Sequence, residues 1–453
     1  MFIVFLWNLV YNLNPISDSL IKRTILFLSV LLFVVGCVRD VGDSTSEVNE
    51  VYLTYWCSPN QQEIELAQKV VEIWNDEHDS VKVRLQPIPA SQSSEEVLLA
   101  AIAGGTTPDI CSNMWPGAMS DFIKAGGLVC LDTFPDFYDV MLSRVPDDLL
   151  ESFRAEDGHF YQVPWKCNPV MMVYNVKLFK EAGIEKPPAT YSEFLAAARK
   201  ISKDIDGDGK PDRWMGYRDI KPIWWQRLFD FYPFYIAATG GGTLFKKGKL
   251  ILNNPAAVKV FGFFQRLYME NYFPRSTLQG DQFLAGNIAV QFSGTWIVSY
   301  IERFKREDFE YDIAPVPVPD DYRGPVYTYG DPKNISIFST THYPGYAWEF
   351  VKFLISKAND LALLRKCTQI PVRKDLVTDE YFKEYFKENP KIRKFAEQAP
   401  YTRGVDGVPD LKEIFHIVSL EYEACCIYGV KEPGKAVQDA ERNAKVVMEW
   451  NRQ

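Results

Sequence analysis

Glu50-Val-Tyr-Leu-Thr-Tyr-Trp56 is a run of β-branched and aromatic residues, which predicts a first strand. Ser58-Pro-Asn-Gln61 resembles a capping box, and apolar residues at helical spacing continue from it to Trp74. Val81 to Ile88 predicts a second strand, and a further helix and strand follow it. Because strands that alternate with helices favour a mostly parallel sheet flanked by helices, the sequence predicts an α/β fold.

The alternation continues along the chain, with its own helix signals. Thr190-Tyr-Ser-Glu193 has the spacing of a capping box and opens another helix. Apolar spacing predicts further helices over Tyr346 to Lys357 and from Leu411 towards the C-terminus. A chain of 453 residues exceeds the usual size of one core, so we expect at least two domains.

Composition excludes some classes of function. The chain has 50 Lys and Arg against 59 Asp and Glu, a net charge of −9, and no long basic run, which argues against a nucleic-acid partner. Four histidines leave little material for a catalytic or metal site built from histidine. Aromatic residues make up 14% of the chain, and this surplus requires an explanation.

The N-terminus carries a targeting pattern. Lys22-Arg23 precedes an apolar run from Ile25 to Val35, as in a secretory signal peptide. Val34-Val-Gly-Cys37 resembles a bacterial lipobox, so we predict a signal peptide over residues 1–36 and a lipid-modified Cys37. Polar residues 37–49 then form a tether. A plain signal peptide or a tail anchor is the alternative.

Residues 1–20 lie upstream of a complete signal and fit it badly. We hypothesise that translation starts near Leu20 or Ile21, so that residues 1–20 are not translated; mapping the initiation site tests this. Seven cysteines remain beyond Cys37, with neither CxxC nor zinc-finger spacing, so no metal or redox motif is predicted for them.

Seven short motifs occur in the order in which one family has them. They are Ala103-Gly-Gly-Thr-Thr-Pro-Asp-Ile110, Gly158-His-Phe-Tyr-Gln-Val-Pro-Trp165, Val173-Tyr-Asn175 with Leu178-Phe179 and Ala182-Gly183, Pro187-Pro-Ala-Thr190 with Glu193-Phe194, Phe283 to Trp296, Ala347 to Leu354, and Gln369-Ile-Pro-Val-Arg373. Together they resemble the extracellular solute-binding proteins of ABC sugar importers, the maltose-binding-protein-like family.

This resemblance implies a two-lobed fold of the periplasmic-binding-protein type II, with ligand in the cleft between the lobes. The N-terminal lobe would comprise residues 50–164 and 312–350, and the C-terminal lobe residues 165–311 and 351–453. The implied ligand is a carbohydrate, in particular an oligosaccharide, and the implied partner is the transmembrane permease of an ABC transporter. We expect an exported monomer that is lipid-anchored to the cell membrane and faces the periplasm or the cell exterior.

Aromatic faces bind the C–H patches of sugars, while carboxylates and amides bind the hydroxyl rims. Tryptophans at predicted strand ends or in loops are therefore candidate ligand residues: Trp56, Trp115, Trp165, Trp224, Trp225 and Trp296. Polar candidates from the same stretches are Asn60, Gln61, Asp109, Asn113, Lys166, Tyr329 and Asp331. Each tryptophan could instead pack in the interior, and Asp109 could instead brace its own loop.

An acidic loop follows the helix that starts after Thr190. Asp204, Asp206, Asp208 and Asp212 match positions 1, 3, 5 and 9 of a calcium loop, but Met215 stands where the bidentate Glu belongs. An Asx-rich turn that caps a helix explains the same residues, and a structural calcium ion is the alternative. No other cofactor is expected.

Two other functions fit parts of the pattern. A secreted glycosidase or lyase needs two carboxylates across the scissile bond, and Asp109 with Asp331 could be such a pair. The sequence carries no catalytic signature, so we predict no catalytic residues and no enzyme. The binding fold could also hold a peptide, polyamine, phosphate or metal, although aromatic and amide-rich loops favour neutral sugars.

Overall fold

The computed structural model describes residues 50–89, 93–209 and 211–451. The predicted signal peptide, the lipidation site at Cys37 and the tether lie outside the described residues. Among the described residues, no helix has the length and apolar character that a membrane span requires.

The described residues form fourteen strands. They are β1 (Val51–Cys57), β2 (Val81–Pro87), β3 (Ile110–Met114), β4 (Val163–Cys167), β5 (Met171–Asn175), β6 (Trp214–Gly216), β7 (Phe245–Lys246), β8 (Lys249–Leu250), β9 (Ile288–Ser293), β10 (Tyr311–Ala314), β11 (Thr328–Tyr329), β12 (Lys333–Ile337), β13 (Ile370–Pro371) and β14 (Thr402–Arg403).

The same residues form sixteen α-helices. They are α1 (Gln61–Glu77), α2 (Ser94–Gly104), α3 (Met119–Lys124), α4 (Phe137–Arg144), α5 (Asp147–Glu151), α6 (Val176–Glu181), α7 (Tyr191–Ile201), α8 (Phe231–Ala238), α9 (Pro255–Met269), α10 (Trp296–Phe304), α11 (Pro344–Leu354), α12 (Lys357–Cys367), α13 (Glu380–Glu388), α14 (Pro390–Gln398), α15 (Leu411–Tyr422) and α16 (Pro433–Trp450). A short 3₁₀ helix at Trp224–Leu228 matters for the site.

Helix starts follow local signals. The predicted capping box at the start of α7 is confirmed, because the Thr190 side chain accepts from the Glu193 N–H while Glu193 accepts from the Thr190 N–H. Helix α1 begins later than predicted. Its N-cap is Asn60, whose side chain accepts from the Glu63 N–H at 2.9 Å, rather than Ser58.

The first sheet has the strand order β13-β4-β12-β3-β1-β2. β1 runs parallel to β2 and to β3, whereas β12 runs antiparallel to both β3 and β4. β13 is antiparallel to β4, so four of the six strands point in one direction. The sheet is therefore mixed, because β12 enters between β3 and β4 after the chain returns from the second sheet.

The second sheet has the order β10-β5-β9-β6. The chain passes into it between Cys167, which ends β4, and Met171, which starts β5. It leaves after β10, which ends at Ala314, and re-enters the first sheet at Lys333. The predicted boundaries of the lobes stay a prediction, and β13, which falls within residues 351–453, pairs in the first sheet.

Much of the aromatic surplus packs in the interior. Phe263 stacks on Tyr191 with ring centroids 4.1 Å apart and contacts Phe234 at 5.7 Å. Phe234 in turn meets the Phe292 ring edge-on at 4.8 Å. These four side chains are buried, so aromatic packing of helices α7, α8 and α9 against β9 accounts for part of the composition.

Candidate ligand-binding site

A cavity of about 740 Å³ lies between the connection from β3 to β4 and segments from later in the chain. Residues 116–124 and 148–162, which connect β3 to β4, form one side, and the β7–β8 hairpin and residues 402–408 form another. Gly330 and Cys167, on the two connections between the sheets, complete the lining. This volume is within the usual range for small-molecule sites.

Charges on the cavity wall balance. Four basic and four acidic side chains line it: Lys124, Arg154, Lys247 and Arg403, and Asp148, Glu156, Asp157 and Asp406. Arg154 also forms a bidentate ion pair with a neighbour, because its guanidinium donates to both carboxylate oxygens of Glu151 at 2.8 and 2.6 Å. A wall without excess charge favours a neutral polar ligand over an anion or a cation.

One carboxyl on this wall titrates unusually. Burial raises the pKa of Asp406 to about 6, although hydrogen bonds from the Thr243 hydroxyl (2.7 Å) and the Leu244 N–H (3.1 Å) favour its charged form.

The Asp406 carboxyl should make the free energy of unfolding depend on pH. Its folded-state pKa of about 6 exceeds the ordinary value of 3.8, so the folded protein holds this proton more tightly. The associated stability is complete below about pH 4 and is lost as the pH rises to about 6, by up to roughly 3 kcal/mol. We expect Asp406→Asn to remove this loss, measured as the difference in unfolding free energy between wild type and variant at pH 4 and pH 7. A constant difference would contradict the prediction.

An aromatic cluster adjoins the cavity. Trp115 and Trp224 contact each other with ring centroids 5.7 Å apart, which joins the end of β3 to the Trp224–Leu228 turn. Phe229 lies 5.8 Å from Trp296 and 6.0 Å from Tyr329. The cluster meets the cavity at Pro116 and Gly330, which follow Trp115 and Tyr329 in the chain and line the wall.

The backbone beneath two of these rings must be glycine. A Cβ on Gly117 would stand 2.3 Å from the Trp115 indole, and a Cβ on Gly294 would stand 2.2 Å from that of Trp296. Both rings therefore lie flat against the chain next to them. Trp296 is 38% exposed and Trp225 47% exposed, so these two offer free aromatic surface to a ligand.

Tyr329 and Asp331 lie together on the connection to β12. The Tyr329 hydroxyl donates to Asp331 Oδ1 at 3.2 Å, and Asp331 has a positive φ of 37°. Burial, followed by the charge of Asp331, raises the pKa of Tyr329 well above its ordinary value. The structure thus brings together Trp115, Trp224, Trp296, Tyr329 and Asp331 from the predicted set.

Lys166, Asn60 and Gln61 make polar contacts with glutamates of α1. Lys166 Nζ forms an ion pair with Glu63 Oε2 at 2.6 Å, and both side chains are almost completely buried. Asn60 donates to Glu63 Oε1 at 2.8 Å, and Gln369 donates to the same oxygen at 3.0 Å. Burial disfavours the charged form of Glu63, but Lys166 and these amides lower its pKa overall. The Gln61 amide binds Glu65 on an exposed face of α1.

Asp109 braces neighbouring strands. Its Oδ2 accepts from the N–H and the hydroxyl of Thr54, both at 2.7 Å. Asp109 precedes β3, at the opposite end of that strand from Trp115. These contacts agree with the alternative interpretation, in which Asp109 holds its own loop in place.

Three further candidates belong to the first sheet. Trp165 is 5% exposed within β4, and its carbonyl accepts from Arg144 at 3.2 Å. Trp56 is partly buried at the end of β1 and packs against the core, while Asn113 is partly buried within β3. None of these three lines the described cavity.

The acidic loop is held by its own hydrogen bonds. Asp204 accepts from the N–H groups of Gly207 (2.7 Å) and Gly209 (2.8 Å), and Asp212 accepts from those of Ile205 and Asp206. The ligand atoms of Asp204, Asp206 and Asp208 lie within 4.8 Å of one another on the surface. The Asx-turn interpretation accounts for this geometry, and calcium stays a prediction.

None of the thirteen ligand residues predicted from the sequence lines the cavity. The largest omissions are residues 148–157 and 402–408. The second stretch carried a usable signal, since Arg403-Gly-Val-Asp-Gly-Val408 is a glycine-rich loop that ends in an apolar residue before a helix.

Comparisons with known proteins show the family and the fold. A family model for bacterial extracellular solute-binding proteins matches residues 58–360. A maltotriose-binding protein of Pyrococcus abyssi is 26% identical over 349 residues, which cover 72% of this chain and 68% of that protein. A galactooligosaccharide-binding protein of Bacillus subtilis is 24% identical over 394 residues, or 83% and 85% of the two chains.

A crystal structure of an uncharacterized Listeria monocytogenes protein is 26% identical, with a TM-score of 0.78 over 88% of this chain and 100% of that chain. Such similarity confirms the predicted two-lobed α/β fold. The alternative of a glycosidase or lyase is set aside, because proteins of the matched family bind solutes and are not enzymes. The chain belongs to the bacterial extracellular solute-binding protein family.

Proposed function

We propose that the protein captures a carbohydrate, in particular an oligosaccharide, in the cavity between its lobes and delivers it to the permease of an ABC transporter. The observation that carries this proposal is the cavity of about 740 Å³, with a charge-balanced wall and an adjoining aromatic cluster. Relatives that bind maltotriose and galactooligosaccharides support the choice of sugar. The lobes we propose are residues 50–164 with 312–350, and 165–311 with 351–453.

Ligand capture would act through contacts on both sides of the cavity. Pro116 follows Trp115 on one side, and the other side is formed by residues 402–408 and the β7–β8 hairpin. A sugar that contacts both sides binds the closed arrangement more tightly than the open one, so it shifts the population towards closure. The closed form would then dock on the permease.

A panel of saccharides tests the proposal. Maltotriose and galactooligosaccharides, added at 100 times their dissociation constants, should stabilise the full-length protein by about 2.7 kcal/mol, because only the folded state binds them. Glycerol 3-phosphate serves as a charged control and should not raise the melting temperature. If no neutral saccharide raises it, the carbohydrate proposal is wrong.

Trp296→Ala should weaken binding of the stabilising saccharide about tenfold or more. The exposed face of Trp296 would stack on a sugar ring, and losing about 1.4 kcal/mol of such contact is a factor of ten in affinity. Trp450→Ala is the matched control, since Trp450 is 71% exposed at the end of α16. Isothermal titration calorimetry measures both, and equal affinities in the two variants would refute the role of Trp296.

We further propose that the protein is exported, that Cys37 carries the lipid anchor, and that the protein works as a monomer at the membrane, facing the periplasm or the cell exterior. The lipobox-like Val34-Val-Gly-Cys37 supports the anchor. The mass of the N-terminal peptide from the mature protein tests lipidation, and sedimentation tests the oligomeric state.

A further inference from the structure

Cys130, Asp132 and His159 form a cluster of three different metal-binding side chains outside the aromatic cluster. The Cys130 thiol donates to Asp132 Oδ1 at 3.0 Å, and His159 Nδ1 lies 3.0 Å from Asp132 Oδ2. One ligand atom from each residue lies within 4.8 Å of the others. Asp132 is largely buried and His159 is half exposed, so the cluster can be reached from solvent.

These donors match the preferences of zinc. Zn²⁺ binds thiolate, imidazole and carboxylate at about 2.0–2.3 Å, which places tetrahedral ligand atoms roughly 3.3–3.7 Å apart. The 3.0 Å separations of Cys130 and His159, each from one oxygen of Asp132, need to open by a few tenths of an ångström, and ligand atoms within 4.8 Å of one another must close around the ion. A thiolate and a carboxylate also supply two negative charges, which compensate the charge of the ion.

The fold holds the two ligand segments in register. Cys130 and Asp132 flank Leu131, whose N–H donates to the Phe160 carbonyl at 2.7 Å. The Phe160 N–H returns a hydrogen bond of 3.0 Å to Asp132 Oδ1. Supporting contacts of this kind orient metal ligands before the ion arrives, so little ordering is required on binding.

The turn that carries His159 is also fixed. The His159 carbonyl accepts from the Ala155 N–H at 2.9 Å, and its own N–H donates to Asp157 at 3.0 Å. Gly158 turns the chain with a φ of 90°, a conformation that favours glycine. Asp157 and Tyr161, on either side of His159, line the cavity, so an ion at this cluster would fasten part of the cavity wall.

We propose that Cys130, Asp132 and His159 bind one zinc ion, with water as the fourth ligand. Binding releases the Cys130 thiol proton to solvent, and His159 binds through Nδ1 as the neutral ring. Asp132 lies two positions after Cys130, and His159 lies 27 positions after Asp132; this is not a zinc-finger spacing, so sequence motifs do not reveal the cluster.

Zinc chloride titrated into chelator-treated full-length protein tests the site by calorimetry. We expect one zinc per wild-type chain, and affinity at least about 100-fold weaker in Cys130→Ser and in His159→Gln, since even supporting residues of metal sites contribute 10–100-fold. His342→Gln is the control, because His342 is exposed in a separate turn, and it should bind like wild type. His159→Gln changes a half-exposed side chain, so it remains informative if Cys130→Ser folds poorly.

Cobalt provides a second readout. Co²⁺ bound at the cluster should show a thiolate charge-transfer band in wild type and in His342→Gln, and Cys130→Ser should lose it. Absence of stoichiometric zinc binding by the wild type would overturn the proposal. Zinc binding that is unchanged in both Cys130→Ser and His159→Gln would overturn it as well, since the ion would then occupy another place.

Discussion

Asp360→Asn should lower the free energy of unfolding by about 3–5 kcal/mol, because it leaves a buried positive charge without its partner. Asp360 is completely buried and binds two guanidinium groups. Arg144 Nη2 donates to Asp360 Oδ1 at 3.0 Å, and Arg373 Nε donates to Oδ2 at 2.8 Å. Arg144 is also buried, and the asparagine keeps the shape of the side chain while it removes the charge.

The Asp360 cluster joins three segments of the chain. Arg144 ends α4, Asp360 lies in α12, and Arg373 follows β13. Urea unfolding followed by circular dichroism measures the effect. Glu380→Gln is the control, because its partner Lys383 is exposed and such surface pairs contribute about 0–1 kcal/mol. A loss below 1 kcal/mol in Asp360→Asn would show that the cluster is not needed for stability.

Local signals in the sequence located the elements well. The first strand was predicted over Glu50–Trp56 and is β1, and the capping box at Thr190 has both of its hydrogen bonds. Such features depend on residues three or four apart, so the sequence contains what is needed to predict them. The two-position difference at the start of α1 arises because both Ser58 and Asn60 can cap a helix, and Asn60 also contacts Glu63.

The exposure of the tryptophans could not be predicted from the sequence. Trp165 and Trp225 both lie within short elements, β4 and the Trp224–Leu228 helix, yet Trp165 is 5% exposed and Trp225 is 47% exposed. The difference in exposure depends on which distant segment packs over each ring. Arg144 of α4, for example, donates to the Trp165 carbonyl. Burial of this kind depends on packing between remote parts of the chain, so local pattern cannot decide it.

The cavity could not be predicted from the sequence for a similar reason. Its wall joins residues 148–162 to residues 402–408, which are more than two hundred positions apart. Predicted residues such as Trp115, Lys166 and Tyr329 stand directly next to lining residues without lining the cavity themselves. Which side a strand residue presents is set by the register of the sheet, so neighbours in the chain can differ in whether they reach the cavity.

Lys166→Met should destabilise the protein by about 3–5 kcal/mol, because it strips the buried Glu63 carboxylate of its counter-charge. Lys166 Nζ lies 2.6 Å from Glu63 Oε2, with side-chain exposures of 2% and 4%. Glu63 keeps its hydrogen bonds from Asn60 and Gln369 in the variant, but these neutral amides do not compensate the charge. Urea unfolding of the wild type and the variant measures the loss.

A double variant separates this structural role from the predicted ligand role of Lys166. Glu63→Gln combined with Lys166→Met removes both charges, so it should recover much of the stability, with a coupling of about 0.5–3 kcal/mol between the sites. A lysine that serves the ligand instead would give a Lys166→Met variant of normal stability that no longer binds the saccharide. The Lys166 ammonium forms its ion pair with Glu63 and so joins β4 to α1. We therefore expect Lys166→Met to lose stability and the double variant to recover much of it.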